Sequence, residues 1–97
     1  MDFIVKPTNL FLTQIGDLSP DARMALDRKL ALAKLNPYRN KRIRGYSLFL
    51  FRIRFEDVRK EKRLIYLVDK PLIIPICILD RDKNYRDLRK HLKNAGY

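Results

Sequence analysis

Between Arg44 and Lys70 the chain reads RGYSLFLFRIRFEDVRKEKRLIYLVDK, and its first part alternates with a period of two. Phe49, Phe51, Ile53 and Phe55 fall on one side of an extended strand, and Leu48, Leu50, Arg52 and Arg54 on the other. This pattern predicts a strand over Ser47–Phe55. The charged stretch Glu56–Lys62 reads as a hairpin connection, and Arg63–Val68 as the returning strand. Asp69–Lys70–Pro71 is then a turn and Leu72–Leu79 a third strand. Pro75 has no N–H for a ladder, so it implies either a sheet edge or a bulge.

The residues before this run read differently. DFIVK suggests a short first strand. In PTNLFLTQIG, Phe11, Ile15 and Leu18 have helical spacing while Leu10 and Leu12 also alternate with polar residues, and the favoured reading is a short helix ending at Gly16. LSPDARMALDRKLALAKLNP is the clearest helix. Ser19 suits an N-cap, Pro20 the first helical position, and Asp21 the positive end of the helix dipole. Leu26, Leu30 and Ala33 form an apolar stripe, widened by Met24 and Leu35, and Asn36–Pro37 ends it. At the other end of the chain, Asp82 is a candidate cap for a last helix. That helix carries Tyr85, Leu88, Leu92 and Ala95 on one face and closes at Gly96. The order β-α-α-β-β-β-α predicts an α+β fold. An antiparallel meander carries an N-terminal helical hairpin on one face, with a C-terminal helix following, in one domain over 1–97. Packing the phenylalanine side against the helical hairpin leaves Leu48, Leu50, Arg52 and Arg54 on an open face.

Charge narrows the function. The 97 residues hold 22 Lys and Arg against 11 Asp and Glu, a net charge of +11, which calls for an anionic partner. Nucleic acid comes first, then an acidic protein, then a membrane surface. The apolar run PLIIPICIL is too short to cross a bilayer. The single cysteine, Cys77, excludes an internal disulfide and fits a reducing, cytoplasmic setting. One His and one Cys make no zinc site, and neither a Gly-rich phosphate loop nor a spaced acidic cluster is present, so no cofactor or metal is expected. His91 reads as a solvated helix residue and Cys77 as core filler.

The arginines admit two readings. Arg52 and Arg54 share a strand face, Arg63 lies across the hairpin, and Arg81 follows the third strand with Tyr85 four residues on. Such a row can hold phosphate through rigid bidentate donors. It can equally be a solvated face paired with Glu56, Asp57, Glu61 and Asp80. The loop NPYRNKRIRGY adds Arg39, Lys41, Arg42 and Arg44 between Tyr38 and Tyr46. Basic residues interleaved with aromatics suit single-stranded RNA, although tyrosines so placed also pack on a core.

The succession NPYRNKRIRGY, LFLFRIRF, KRLIYLVD, LIIPICIL and DRDKNY resembles the RelE/ParE superfamily of toxin–antitoxin toxins, most clearly over the last sixty or so residues. The resemblance implies a RelE-like fold and a toxin of a type II toxin–antitoxin system. In the RelE branch it implies metal-independent cleavage of mRNA in the ribosomal decoding site by 2′-hydroxyl attack. It matches Arg63 to the arginine on the scissile phosphate, Arg81 to the arginine that stabilises the transition state, and Tyr85 to the tyrosine that orients the nucleotide. Arg52 and Arg54 stand where lysines are usual. A guanidinium stays protonated, so these two can neutralise phosphate but cannot act as a base. Proton transfer then falls to Tyr85, Lys62, Glu56 or water. The expected partners are ribosome-bound mRNA and a cognate acidic antitoxin, with no membrane. The alternatives are a ParE-like, non-enzymatic toxin that binds DNA gyrase through the Leu10–Leu35 hairpin, and a plain RNA-binding module.

Overall fold

A computed structural model of the chain describes residues 2–81 and 85–97. In chain order the elements are β1 (Ile4–Val5), α1 (Asn9–Ile15), α2 (Pro20–Leu35), β2 (Lys41–Arg42), β3 (Leu50–Asp57), β4 (Lys60–Asp69), β5 (Leu72–Asp80) and α3 (Leu88–Asn94). The five strands form one sheet in the order β1-β5-β4-β3-β2. The expected meander β3-β4-β5 forms its centre. The sheet is mixed rather than wholly antiparallel, because β1 pairs parallel with β5. The basic loop also contributes an edge strand, since Lys41 pairs with Arg52 and Arg42 with Phe51.

Local chemistry explains the helices. Thr8 accepts from the Phe11 amide at the start of α1, and Ser19 accepts from the Ala22 amide at the start of α2. Gly16 ends α1 and Asn36 caps α2, as the sequence predicts. Leu26 and Ala33 are buried, joined by Ala22. Met24 and Leu35 do not widen the stripe. They are 54% and 82% exposed, because the buried side of α2 is narrower than its leucine content suggests.

The hairpin between β3 and β4 is tighter than expected. Asp57 pairs with Lys60, leaving Val58 and Arg59 as a two-residue turn, with φ of 47° and 64°. Both central residues are left-handed, the geometry that matches the twist of the flanking strands. A β-branched residue there is unusual, so Glu56–Lys62 does not read as a tight turn from sequence. At its other end β3 starts at Leu50. Phe49 lies before the strand and is 51% exposed, with the Arg42 guanidinium 4.5 Å from its ring centroid.

Pro75 sits at a bulge. Tyr66 pairs with Pro75 and Ile65 with Cys77, which leaves Ile76 as the extra residue. The bulge resets the alternation, so Ile73 and Ile78 share one side of the sheet although an odd number of positions separates them. Beyond β1, the edge of β5 is completed by other groups. The Thr8 amide donates to Pro75 O at 3.0 Å and the Thr8 hydroxyl to Ile76 O at 2.6 Å. The Gln14 amide then exchanges two bonds with the backbone of Ile78, at 2.9 and 2.6 Å.

Both faces of the sheet are covered. Phe51, Ile53, Phe55, Leu64, Tyr66 and Val68 meet Phe11, Ala22, Leu26 and Ala33 on the side of α1 and α2. On the other side Leu50, Ile65, Leu67, Cys77 and Leu79 meet Leu88 and Leu92 of α3. The face expected to be open is therefore only half open. Leu50 is fully buried beneath α3, and the arginines occupy the remainder. The expected cap Asp82 lies outside the described residues. Tyr85 precedes α3 with a φ of 60°, so it is not part of the helix, and Ala95 is exposed beyond it. Gly96 closes the helix with a φ of 92°.

Candidate active site

The hairpin register decides how the arginines meet. Arg54 lies directly opposite Arg63, and Arg52 lies opposite Ile65, so all three guanidiniums rise from one face. Like charges facing each other across a ladder destabilise it unless something separates them. Two groups do so here. Tyr85 lies against Arg63, whose guanidinium carbon is 5.4 Å from the ring centroid, and its hydroxyl accepts a 2.8 Å hydrogen bond from Arg52 Nη1. Glu61 takes Arg81 Nη1 at 3.2 Å on Oε2 and Arg54 Nε at 3.7 Å on Oε1.

The result is two adjoining trios, Arg52–Tyr85–Arg63 and Arg54–Glu61–Arg81. Both readings of the arginine row meet in it, because Glu61 pairs with two of the arginines while two others have no carboxylate partner among the described residues. Arg54 and Arg81 keep 57% and 70% of their side chains exposed, so these ion pairs hold them lightly. Arg63 is more enclosed. Its Nε is buried and, among the described residues, has no hydrogen-bond partner. A buried donor left unpaired is costly unless a ligand completes it. The left-handed backbone of Tyr85 is a second local cost at the same place.

The basic loop contributes unequally. Lys41, paired with Arg52, continues the row, and an open hollow of about 380 Å³ lies between Asn40, Lys41, Arg52 and Arg54. Arg39 lines a separate hollow beside Lys29 and Asn36, and Arg44 is exposed. Arg42 packs on Phe49. Tyr46 is half-buried against the α3 cluster, with Arg89 5.4 Å from its ring centroid, so it packs on the core. Tyr38 meets Phe3 and Phe51 edge-on and remains half exposed.

Two of the proposed proton-transfer groups stand elsewhere. Lys62 points to the α1–α2 side and pairs with Asp80 at 2.9 Å. Glu56 shares the arginine face but lies opposite Glu61, at the exposed turn end of the hairpin. Among the described residues, no three His, Cys, Asp or Glu side chains come together as metal ligands. Burial pushes the Cys77 thiol up to about 12, and Cys77 lies in the core.

Sequence reasoning missed the anchor of the loop. The Tyr66 hydroxyl donates to Pro37 O at 2.6 Å and accepts from Asn40 Nδ2 at 3.0 Å. This pair fixes both ends of the turn that delivers Lys41. Burial pushes the Tyr66 hydroxyl up to about 12, with the Asn40 bond opposing. The signal was a tyrosine at a core-facing strand position, where a hydroxyl needs a partner.

No protein-family model and no curated protein sequence matches the chain. Solved structures do. A double arginine-to-alanine mutant of the E. coli toxin RelE in the free state aligns with a TM-score of 0.75 at 17% identity, over 98% of this chain and 95% of that one. The fold is that of RelE. The isolated E. coli RelE toxin aligns with a TM-score of 0.68 at 21% identity, covering 93% of this chain and 98% of that chain. The intact E. coli RelBE toxin–antitoxin complex matches with a TM-score of 0.68 at 21% identity, over 80% of this chain and 95% of that chain. The RelE fold expected from the order of motifs is thus present over nearly the whole chain. Among the described residues, no helix is long and apolar enough to cross a membrane.

Proposed function

We propose that this RelE-like chain is the toxin of a type II toxin–antitoxin system and cleaves mRNA bound to the ribosome. One observation carries the reading. Arg52 and Arg63 meet Tyr85 on one sheet face, Arg54 and Arg81 meet Glu61 beside them, and the buried Arg63 Nε lacks a partner among the described residues. A scissile phosphate fits that deficit. Arg63 and Arg81 bind its non-bridging oxygens, and Arg52 and Arg54 offset the charge that grows as phosphorus becomes pentacovalent. The 2′-oxygen loses its proton and bonds to phosphorus, and the bond from phosphorus to O5′ breaks. Because the Tyr85 oxygen accepts from Arg52, its own proton is free for donation to the departing O5′. The products are a 2′,3′-cyclic phosphate and a 5′-hydroxyl.

The test is the chemistry of the product ends on ribosome-bound message. A 2′,3′-cyclic phosphate formed by the wild type and lost in Arg63→Ala is the expected outcome. A 3′-hydroxyl end, or equal cleavage by both proteins, overturns the mechanism.

The second reading, a non-enzymatic toxin that binds gyrase, has its own observation. Met24, Leu32 and Leu35 of α2 are exposed, a surface that a protein partner would bury. Growth arrest that survives Arg63→Ala and is lost on Leu32→Glu would favour it. The neighbour's RelB–RelE pairing and the charge of +11 support a cognate acidic antitoxin as the physiological partner.

A further inference from the structure

We infer that Glu61 is the general base of this reaction and that the substrate phosphate uncovers it. The inference rests on the nuclease reading above. The arginine row supplies charge but no proton acceptor, since a guanidinium stays protonated. Lys62 is removed by its orientation and its bond to Asp80. Tyr85 accepts from Arg52 and is placed to donate. Glu61 is different. It stands on the arginine face, two residues from Arg63 on the same strand, with its two oxygens against Arg81 and Arg54. Its side chain is 26% exposed, enclosed enough to be held yet open to a substrate.

In the free protein Glu61 occupies the position an anion would take between Arg54 and Arg81. Neither pairing is tight: the Arg54 contact is 3.7 Å and both guanidiniums are largely exposed. A phosphodiester offers the same guanidiniums better-matched oxygens. When they turn to the phosphate, the Glu61 carboxylate is left unpaired within reach of the adjoining ribose. There it takes the 2′-hydroxyl proton as the bond from O2′ to phosphorus forms. Tyr85 protonates O5′ as the bond from phosphorus to O5′ breaks, and solvent returns each group to its starting state. The carboxylate therefore serves as a stand-in for the substrate before binding and as a proton acceptor after it.

A base and a simple clamp give opposite outcomes. Glu61→Gln removes one negative charge from a basic face. Binding of the variant to ribosomes carrying a message with a 2′-deoxynucleotide at the scissile position should be as tight as wild type or tighter. Cleavage of the all-ribose message should fall on the order of 10²–10⁴-fold. Glu61→Asp keeps a carboxylate one methylene shorter and should recover part of that loss, with thermal melting confirming that each variant is folded. Cleavage by Glu61→Gln within threefold of wild type overturns the assignment. So does a parallel loss of binding and cleavage, which marks Glu61 as a positioning residue only. A wild-type protein that leaves ribosome-bound RNA intact fails earlier, and overturns the nuclease reading itself.

Discussion

The two faces of the β3–β4 hairpin are built from the same strands yet follow opposite rules. On the α1–α2 side Phe51, Ile53, Phe55, Leu64 and Tyr66 are all buried, and the Tyr66 hydroxyl finds two partners. On the α3 side the apolar end, Leu50 and Ile65, is equally dry, while the turn end carries Arg52, Arg54 and Arg63 with a buried nitrogen unpaired among the described residues. One face maximises satisfaction and the other leaves a deficit at a defined place. Stability resides in the first, and the deficit is where a ligand contributes most.

The sharpest way to break this contrast is to truncate one side chain on each face. Phe51→Ala removes a buried ring that stacks on Tyr66 at 5.6 Å, and should cost about 3–5 kcal/mol in denaturant unfolding. Arg54→Ala should stay within about 0.5 kcal/mol of wild type, since its ion pair is exposed. Similar losses from both would mean that the faces are not divided as described.

Next in size are the two arginines proposed to hold the phosphate. Arg63→Ala and Arg81→Ala should each reduce cleavage of ribosome-bound RNA by about 10²–10³-fold, with melting little changed for Arg81→Ala. If the Arg81 variant loses stability instead of rate, the arginine row is structural.

Tyr85→Phe sharpens the comparison further, because it keeps the ring under Arg63 and deletes only the oxygen that accepts from Arg52. A fall in cleavage with unchanged RNA affinity is expected, read as kcat lost at constant KM. Equal activity would remove the hydroxyl from proton transfer.

The smallest effect is a pH dependence from the satisfied face. The folded Tyr66 hydroxyl lies at about 12, against an ordinary value of 10.0, so folding favours its neutral form. That contribution is complete below pH 10 and lost as pH rises towards 12. Cys77 adds a second loss over the window from 9.0 to about 12. Unfolding free energy measured across this alkaline range should fall less steeply in Tyr66→Phe than in wild type. The same slope in both proteins would place the titration elsewhere.

Much of the α1–α2 face was legible in the sequence because alternation, caps and breakers act locally. Ser19 and Gly16 mark helix ends through bonds to their immediate neighbours. Pro75 marks the bulge because it lacks an N–H. The arginine face was legible in composition but not in detail. Which carboxylate meets Arg81 depends on a two-residue turn at Val58 and Arg59, whose side chains give no sign of positive φ. DFIVK was legible as the strand β1, but the edge strand β2 was not, for a related reason. It is two residues long and owes its conformation to a distant partner, Phe51–Arg52, rather than to its own pattern. Met24 and Leu35 misled because helical spacing does not reveal how wide a sheet lies beneath the helix.

The sheet margins have a consequence for how copies of this protein behave when crowded. Each outer strand is only two residues long, and the longer strands behind them have their outward backbone groups occupied by side chains. Gln14 covers Ile78 on β5, and Lys29 Nζ donates to Arg54 O on β3. The β2 margin itself carries Lys41 and Arg42, both exposed. Among the described residues a second chain therefore meets short or partly occupied margins, and on the β2 side it meets repulsion as well. Side chains of α1 and α2 thus help these margins to oppose strand-to-strand aggregation. Replacing Lys29 or Gln14 would uncover that hazard before it weakened the core.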